Sequence, residues 1–227
     1  MNVFITGANR GIGLGFVNHY LKQGCNVWAT YRSNIDGLAN IDDERLRTLL
    51  WDITDNKAAS LVASMALPDQ IDLLINNAGI YGPKNGNGQS FDTVTAATMS
   101  EVFDVDCVGA LRVSQLLAGR VKAAQGVIAN MSSKMGSSAD NTSGGCYAYR
   151  AAKAALVIVS RSMAIDLAPD GVRVITLHPG WVSTDMTNNT GLIDVATSVA
   201  GLTKVIANID CYEPGAFVAF DGKLVPF

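Results

Sequence analysis

A chain of 227 residues, 48% hydrophobic and 16% charged, suits one α/β domain with a sizeable core and is too apolar to stay disordered. Its formal charge of −3 leaves no basic footprint for nucleic acid and no polybasic patch for a membrane surface. No apolar run reaches the roughly 18 residues of a membrane span, and neither His19 nor His178 has a ligand neighbour at metal-binding spacing, so no metal is expected.

The first stretch, Asn2-Val3-Phe4-Ile5-Thr6, reads as a buried strand with no charged leader before it, which predicts a cytoplasmic protein. In that compartment Cys25, Cys107, Cys146 and Cys211, which show no CxxC spacing, are expected as reduced thiols. The strand runs into Gly7-Ala8-Asn9-Arg10-Gly11-Ile12-Gly13, after which Leu14, Phe16, Val17, Tyr20 and Leu21 recur at helical spacing. Strand, glycine-rich turn and helix together aim the N–H groups of a helix N-terminus at a phosphate. Gly7 permits the tight turn, while Gly11 and Gly13 let backbone approach a ligand and let helix and strand pack closely. The spacing is GxxxGxG, and such a loop taken alone is as easily a plain turn.

A second strand over 25–30 ends at Thr30-Tyr31-Arg32-Ser33. An NAD site usually carries an acid about 20 residues beyond the glycines for the ribose 2′-hydroxyl, and that strand end has none. Arg32, with Arg10 in the glycine loop, suits a 2′-phosphate instead, because a guanidinium fork matches phosphate geometry and stays charged. Two ordinary surface arginines are the plainer alternative; the pattern favours NADP(H). A third strand over 47–51 leads to Asp52 and Ile53, where Asp52 is placed either to accept from an adenine amino group or to close the loop. Thr54 or Asp55 then caps a helix expected over 57–65.

Strand 71–75 enters Asn76-Asn77-Ala78-Gly79, small residues that suit a turn against a ligand edge and are also common turn formers. Residues 83–89 read as a surface loop and 96–121 as one long helix. Strand 126–131 ends at Ser132-Ser133, and a polar stretch leads into Tyr149-Arg150-Ala151-Ala152-Lys153, at the head of an apolar run to Leu167. On a helix Tyr149 and Lys153 share one face. A cation fixed beside a phenol favours the anion, so the Tyr149 pKa is expected to fall from its ordinary value near 10 and make a proton donor usable near neutral pH. Strand 172–177 ends at His178-Pro179-Gly180, residues 181–191 read as a loop, Asp194 caps a helix to 209, and 216–220 is the last strand. Strands alternating with helices predict a single domain over 1–227: a Rossmann-type, doubly wound parallel sheet with helices on both faces. Each motif falls at a strand's carboxyl end or on the helix after it, where such sheets bind ligands.

The set Thr6-Gly7-xxx-Gly11-x-Gly13, Asn76-Asn77-Ala78-Gly79, Ser133, Tyr149-xxx-Lys153 and Pro179-Gly180 resembles the short-chain dehydrogenase/reductase family, in the family's order and over nearly the whole chain. Finer features resemble its Sniffer-like carbonyl reductase and C-factor branch: Ser132-Ser133-x-x-Gly136-Ser137, Gly144-Gly145 before Tyr149, His178-Pro179-Gly180-Trp181-Val182-x-Thr184-Asp185-Met186 and Asp221-Gly222-Lys223. The resemblance implies that Tyr149 protonates a carbonyl oxygen as hydride arrives from NADPH. It implies that Lys153 lowers the Tyr149 pKa and holds the nicotinamide ribose, and that Ser133, rather than Ser132, steadies the developing alkoxide. Gly7, Arg10, Gly11, Ile12, Gly13, Asn77, Ala78 and Gly79 are then expected along the dinucleotide, with Pro179, Gly180, Val182 and Thr184 closing over its nicotinamide end. A small-molecule carbonyl substrate is implied, in a pocket between 81–89, 137–146 and 187–200, as is a homodimer or homotetramer built on the two long helices.

One residue departs from the family pattern. A fourth active-site asparagine is usual in the long helix, and Asp106-Cys107-Val108-Gly109 puts aspartate there. A carboxylate near Lys153 is expected to favour the charged lysine, partly offset its effect on Tyr149 and alter the pH profile. Asp106 and the likeness to C-factor leave open a second function, a cofactor-binding signalling or regulatory protein on the same fold.

Overall fold

The apolar runs around residues 3–5, 73–75, 127–131 and 174–177 are continuous rather than alternating, the pattern of strands covered on both faces. The computed structural model describes residues 1–55, 62, 66–83 and 88–227. In it these runs become the centre of a seven-stranded sheet: β1 (Asn2–Ile5), β2 (Asn26–Tyr31), β3 (Leu46–Leu50), β4 (Leu73–Asn76), β5 (Val127–Met131), β6 (Arg173–His178) and β7 (Phe217–Ala219). The order is β3-β2-β1-β4-β5-β6-β7, and every pair is parallel. The helices are α1 (Gly11–Lys22), α2 (Ala96–Phe103), α3 (Ala110–Ala124), α4 (Tyr147–Leu167) and α5 (Val195–Ala207). The expected doubly wound sheet is the observed one. Its winding reverses between β1 and β4, and a crevice opens beyond their carboxyl ends.

Two apolar cores, one on each face, clamp the sheet. Val3, Ile5, Val27 and Ile75 meet Phe16, Val17 and Leu21 of α1 and Leu202 and Val205 of α5. Phe4, Leu74, Ile128 and Val174 meet Val113 and Leu117 of α3 and Met163 of α4. A polar chain runs through the second core. Asn76 Nδ2 donates to Ser114 Oγ (2.9 Å) and Asn130 Oδ1 (2.8 Å), and Asn130 Nδ2 donates to Ser160 Oγ (2.9 Å). Asn76 therefore faces inward and ties β4 to β5, α3 and α4, rather than meeting a ligand edge. The amide donors so buried are partnered, since an unmade hydrogen bond there costs about 1–3 kcal/mol, while Asn76 Oδ1 has no partner among the described residues.

Asp194 caps α5 as expected, its Oδ1 accepting from the Thr197 N–H at 2.7 Å. The long helix expected over 96–121 is a continuous helical run from Ala96 to Ala124, with a π-helical turn, Asp104–Gly109, set between α2 and α3. The wider turn is filled and held by its neighbours: Gly109 packs against the Ile53 side chain, and Ile80 N–H bonds the Asp106 side chain. Such turns occur where tertiary contacts outweigh the regular ladder. The helix expected over 57–65 lies, but for position 62, outside the described residues, as do positions 84–87 of the expected loop. Thr54 is engaged by Asp52, its N–H and hydroxyl both donating to Oδ1 (3.0 and 2.8 Å).

Candidate active site

A cleft of about 750 Å³ lies along the carboxyl ends of β1, β2, β4 and β5. At one end the turn after β1 forms its floor. Gly7 sits at φ 60°, and a Cβ there would stand 2.7 Å from the Ala78 Cα, so only glycine lets the turn and the Asn77-Ala78 wall approach this closely. Asn77 Nδ2 braces the turn by donating to the Thr6 and Gly7 carbonyls (3.1 and 2.9 Å). The first turn of α1 carries neither a side-chain cap nor an acid, which suits its N–H groups to an anion. Arg32 lines this end. Arg10 also lines it, but its Nη1 is 3.0 Å from Asp185 Oδ2, with both side chains more than half exposed. Such a pair contributes less than about 1 kcal/mol. Burial pushes the Asp52 carboxyl up, but the Thr54 bonds with Arg32 and Arg112 outweigh it and leave the pKa below its ordinary value.

At the other end three segments converge on Tyr149. The helix carrying it begins at Tyr147, so Tyr149 and Lys153 do share a face, with Lys153 Nζ 5.6 Å from the Tyr149 ring centroid. Ser132 Oγ donates to the Lys153 carbonyl (2.8 Å), which commits Ser132 to docking β5 on α4. Ser133 Oγ accepts from the Met135 N–H (3.2 Å), and the Ser133 side chain favours the Tyr149 phenolate. The two serines thus have different partners. The turn bearing Ser133 rests on α4 through Gly136, where a Cβ would stand 2.6 Å from the Lys153 carbonyl carbon. It is held to β6 by the Lys134 N–H, which donates to His178 Nδ1 (3.1 Å). Lys153 Nζ donates to the Met131 carbonyl (3.0 Å) and lies 3.2 Å from Asp106 Oδ2.

The expected fall in the Tyr149 pKa is corrected. Burial raises it most, Lys153 pulls it down, Asp106 raises it again, and the net direction is upward. Lys153 moves up as well: burial lowers it, but Asp106 and Tyr149 more than compensate. Burial raises Asp106 too, against the lysine and the Ile80 N–H.

Of the residues expected to hold a dinucleotide, Gly7, Arg10, Gly11, Ile12, Arg32, Asp52, Ile53, Asn77, Ala78, Gly79, Tyr149, Lys153, Pro179 and Thr184 line the cleft. Gly13, Gly180 and Val182 stand behind its wall. Gly13 packs α1 on the turn, where a Cβ would be 2.3 Å from the Gly7 carbonyl oxygen. Gly180 (φ 86°) makes room for Phe220, and Val182 is buried in a bridge to Ile193. Pro179 is positioned by Ser198 Oγ, which donates to its carbonyl (2.7 Å). Ser133 and Asp106 are not among the lining residues, whereas Ser132 is.

Asp36 was not named from the sequence, and the contacts of Gln89 and Tyr81, at the two ends of the expected 81–89 pocket wall, were not read from it. Asp36, at the Arg32 end, lines the cleft with its Oδ2 accepting from Asn9 Nδ2 (2.7 Å). Gln89 is buried and caps α4: its Oε1 accepts from the Tyr149 N–H (3.0 Å), its carbonyl from the Tyr147 N–H (3.2 Å), and its amide donates to the Tyr81 carbonyl. The signal was the Gly144-Gly145-Cys146 lead-in, which supplies no local cap. Tyr81 stacks at a tilt on Tyr149, centroids 5.0 Å apart, its hydroxyl 2.7 Å from Cys146 Sγ.

The family model described as short chain dehydrogenase matches residues 1–192. The chain is 41% identical over 158 residues to the C-signal protein of Myxococcus xanthus, a match covering 69% of this chain and 93% of that one. Its structure is similar to the carbonyl reductase Sniffer of D. melanogaster, with a TM-score of 0.91, 31% identity, and 100% of this chain and 99% of that one covered. It is likewise similar to the NADPH-bound carbonyl reductase from chicken fatty liver, with a TM-score of 0.88, 32% identity, and coverage of 100% and 98%.

Proposed function

The chain belongs to the short-chain dehydrogenase family, and from that premise we propose that it is an NADPH-dependent reductase of small carbonyl compounds. The observation that carries this reading is Tyr149 and Lys153 on one helix face at one end of a cleft, with Ser133 acting on the Tyr149 hydroxyl, and the glycine turn and Arg32 at the other end. When bound, the dinucleotide supplies hydride to the carbonyl carbon. The Tyr149 hydroxyl gives its proton to the carbonyl oxygen, and the Ser133 hydroxyl donates a hydrogen bond to the same oxygen as charge develops there. An ammonium has three donors; with Met131 and Asp106 engaged, Lys153 keeps one N–H for a ribose hydroxyl in the cleft.

Arg32, with Arg10 in support, recognises the 2′-phosphate, the first turn of α1 the pyrophosphate, and Asp52 with Ile53 the adenine. Pro179 and Thr184 border the nicotinamide end, behind which Gly180 and Val182 shape the wall. The substrate enters beside Tyr81 and Cys146. Ile158 and Ile165, exposed on α4, suit self-association as a homodimer or homotetramer in the cytoplasm.

The test follows NADPH absorbance with a panel of aldehydes and ketones. Tyr149→Phe should lower turnover by roughly 10²–10⁴-fold while NADPH binding persists. Undiminished turnover in that variant would sink the assignment. Tight NADPH binding by the parent with no consumption across the panel would favour the signalling reading.

A further inference from the structure

Asp106 is a carboxylate with a fully buried side chain, 0% exposed, opposite a lysine whose side chain is only 5% exposed. Its Oδ1 accepts from the Ile80 N–H at 2.7 Å, and its Oδ2 faces Lys153 Nζ at 3.2 Å. Gly79 backbone closes the space beside the pair: a Cβ there would stand 3.2 Å from Oδ1 and 3.3 Å from Nζ. The contact is direct. An asparagine would offer the same Ile80 N–H an acceptor without bringing a charge.

The groups that face Tyr149 come from several elements. Lys153 faces it from α4, Asp106 from the π-helical turn, Ser133 from the turn after β5, Cys146 from the head of α4 and Tyr81 from the segment after β4, while Cys107 faces Lys153. Among them Lys153 and Ser133 favour the phenolate, whereas Asp106 and Cys146 oppose it. The strongest help available to a phenolate is Lys153, and Asp106 neutralises that cation at its source. A lysine alone would present Tyr149 with a full positive charge; a buried ion pair presents a dipole, whose effect falls off faster with distance.

We propose that Asp106 is a positioning residue that acts on Tyr149 through Lys153: paired with the ammonium, it weakens the help that cation gives a phenolate, and so biases the site toward donating a proton to a carbonyl over taking one from an alcohol. In the forward reaction the carbonyl carbon takes a hydride from the reduced dinucleotide, its oxygen takes the Tyr149 proton, and the tyrosinate left behind regains a proton from solvent. The direction of catalysis rests on the reductase reading; the protonation state of Tyr149 does not.

The test compares Asp106→Asn with the parent in two ways. In near-ultraviolet titration, the Tyr149 contribution is isolated by subtracting the Tyr149→Phe protein in each background. The tyrosinate step should move to lower pH in Asp106→Asn by on the order of one pH unit, the size that a nearby buried charge imposes. Superimposable difference curves, or a move to higher pH, overturn the proposal even if neither protein turns over any substrate. In the kinetic arm, the alkaline fall of reductive kcat/KM and the rise of oxidative kcat/KM should both shift to lower pH by the same amount. Unshifted limbs overturn it. Absence of turnover in both directions would sink the reductase reading while the titration still decides the role of Asp106.

Discussion

His178 offers a test of how the site's scaffold depends on protonation. The imidazole, largely buried at the end of β6, accepts the Lys134 N–H at Nδ1 (3.1 Å) and so locates the turn bearing Ser133. An acceptor nitrogen must be unprotonated, and burial, with the Lys134 charge nearby, lowers the His178 pKa from 6.5 to about 4 despite Asp140 and Asp221. The unfolded chain therefore binds the proton more readily than the folded one between these values. The contribution is complete above the unfolded pKa and is lost as pH falls toward the folded one. At about 1.36 kcal/mol per unit, the loss is about 2 kcal/mol by pH 5 and about 3 kcal/mol below pH 4. Urea unfolding of the parent and of His178→Asn, which keeps an acceptor near the Nδ1 position, isolates this term because other titrating groups cancel in the difference. The stability advantage of the parent should shrink by about 2 kcal/mol between pH 7 and pH 5. A difference that stays constant with pH would refute the reasoning.

Two further substitutions probe the nucleotide end of the cleft. Arg32→Ala removes the cation best placed for a 2′-phosphate, and loss of a charge-assisted contact of about 1.5–3 kcal/mol should raise the KM for NADPH by roughly ten- to a hundredfold with little change for NADH. Equal effects on the two cofactors would remove Arg32 from the account. Gly13→Ala places a methyl 2.3 Å from the Gly7 carbonyl oxygen and 2.6 Å from Asn77 Nδ2. Overpacking against backbone of this kind costs about 1–3 kcal/mol, more than the gain of up to about 1 kcal/mol in helix propensity. Both the melting temperature and NADPH affinity should fall, and an unchanged melting temperature would contradict the packing role.

Features that depend on short-range geometry were legible in the chain. The glycine turn was readable because only glycine satisfies a positive φ and a 2.7 Å approach at Gly7. Tyr149 and Lys153 were readable because helical spacing alone places them together. What escaped depends on contacts made across the fold. Gln89 caps a helix that begins 58 residues later, and a buried amide with that job looks in sequence like any loop residue. Asn76 resembled a turn former and instead anchors a buried chain of hydrogen bonds. Asp36 follows the β2 strand end by five residues, outside the spacing that flags a ribose acid. The π-helical turn at Asp104–Gly109 leaves the apolar spacing of the long helix almost intact, so periodicity showed the helix but not the turn within it.

The charge state of the site is where spacing misled most. Two residues four apart on a helix identify the partner of a phenol but say nothing of how dry the pair is. With the cation exposed, the lysine would dominate and the phenol would titrate low. Here burial comes first for Tyr149, Asp106 and Lys153 alike, and each shift is a balance of desolvation against pairing. Desolvation disfavours all three charges, but only the lysine and the carboxylate face each other at 3.2 Å. Their attraction outweighs burial at Lys153 but not at Asp106, and at Tyr149 burial outweighs the help of the lysine. A tyrosine held as an acid suits the donating half of the reaction, and the aspartate that departs from the family pattern adds to the burial that holds it so.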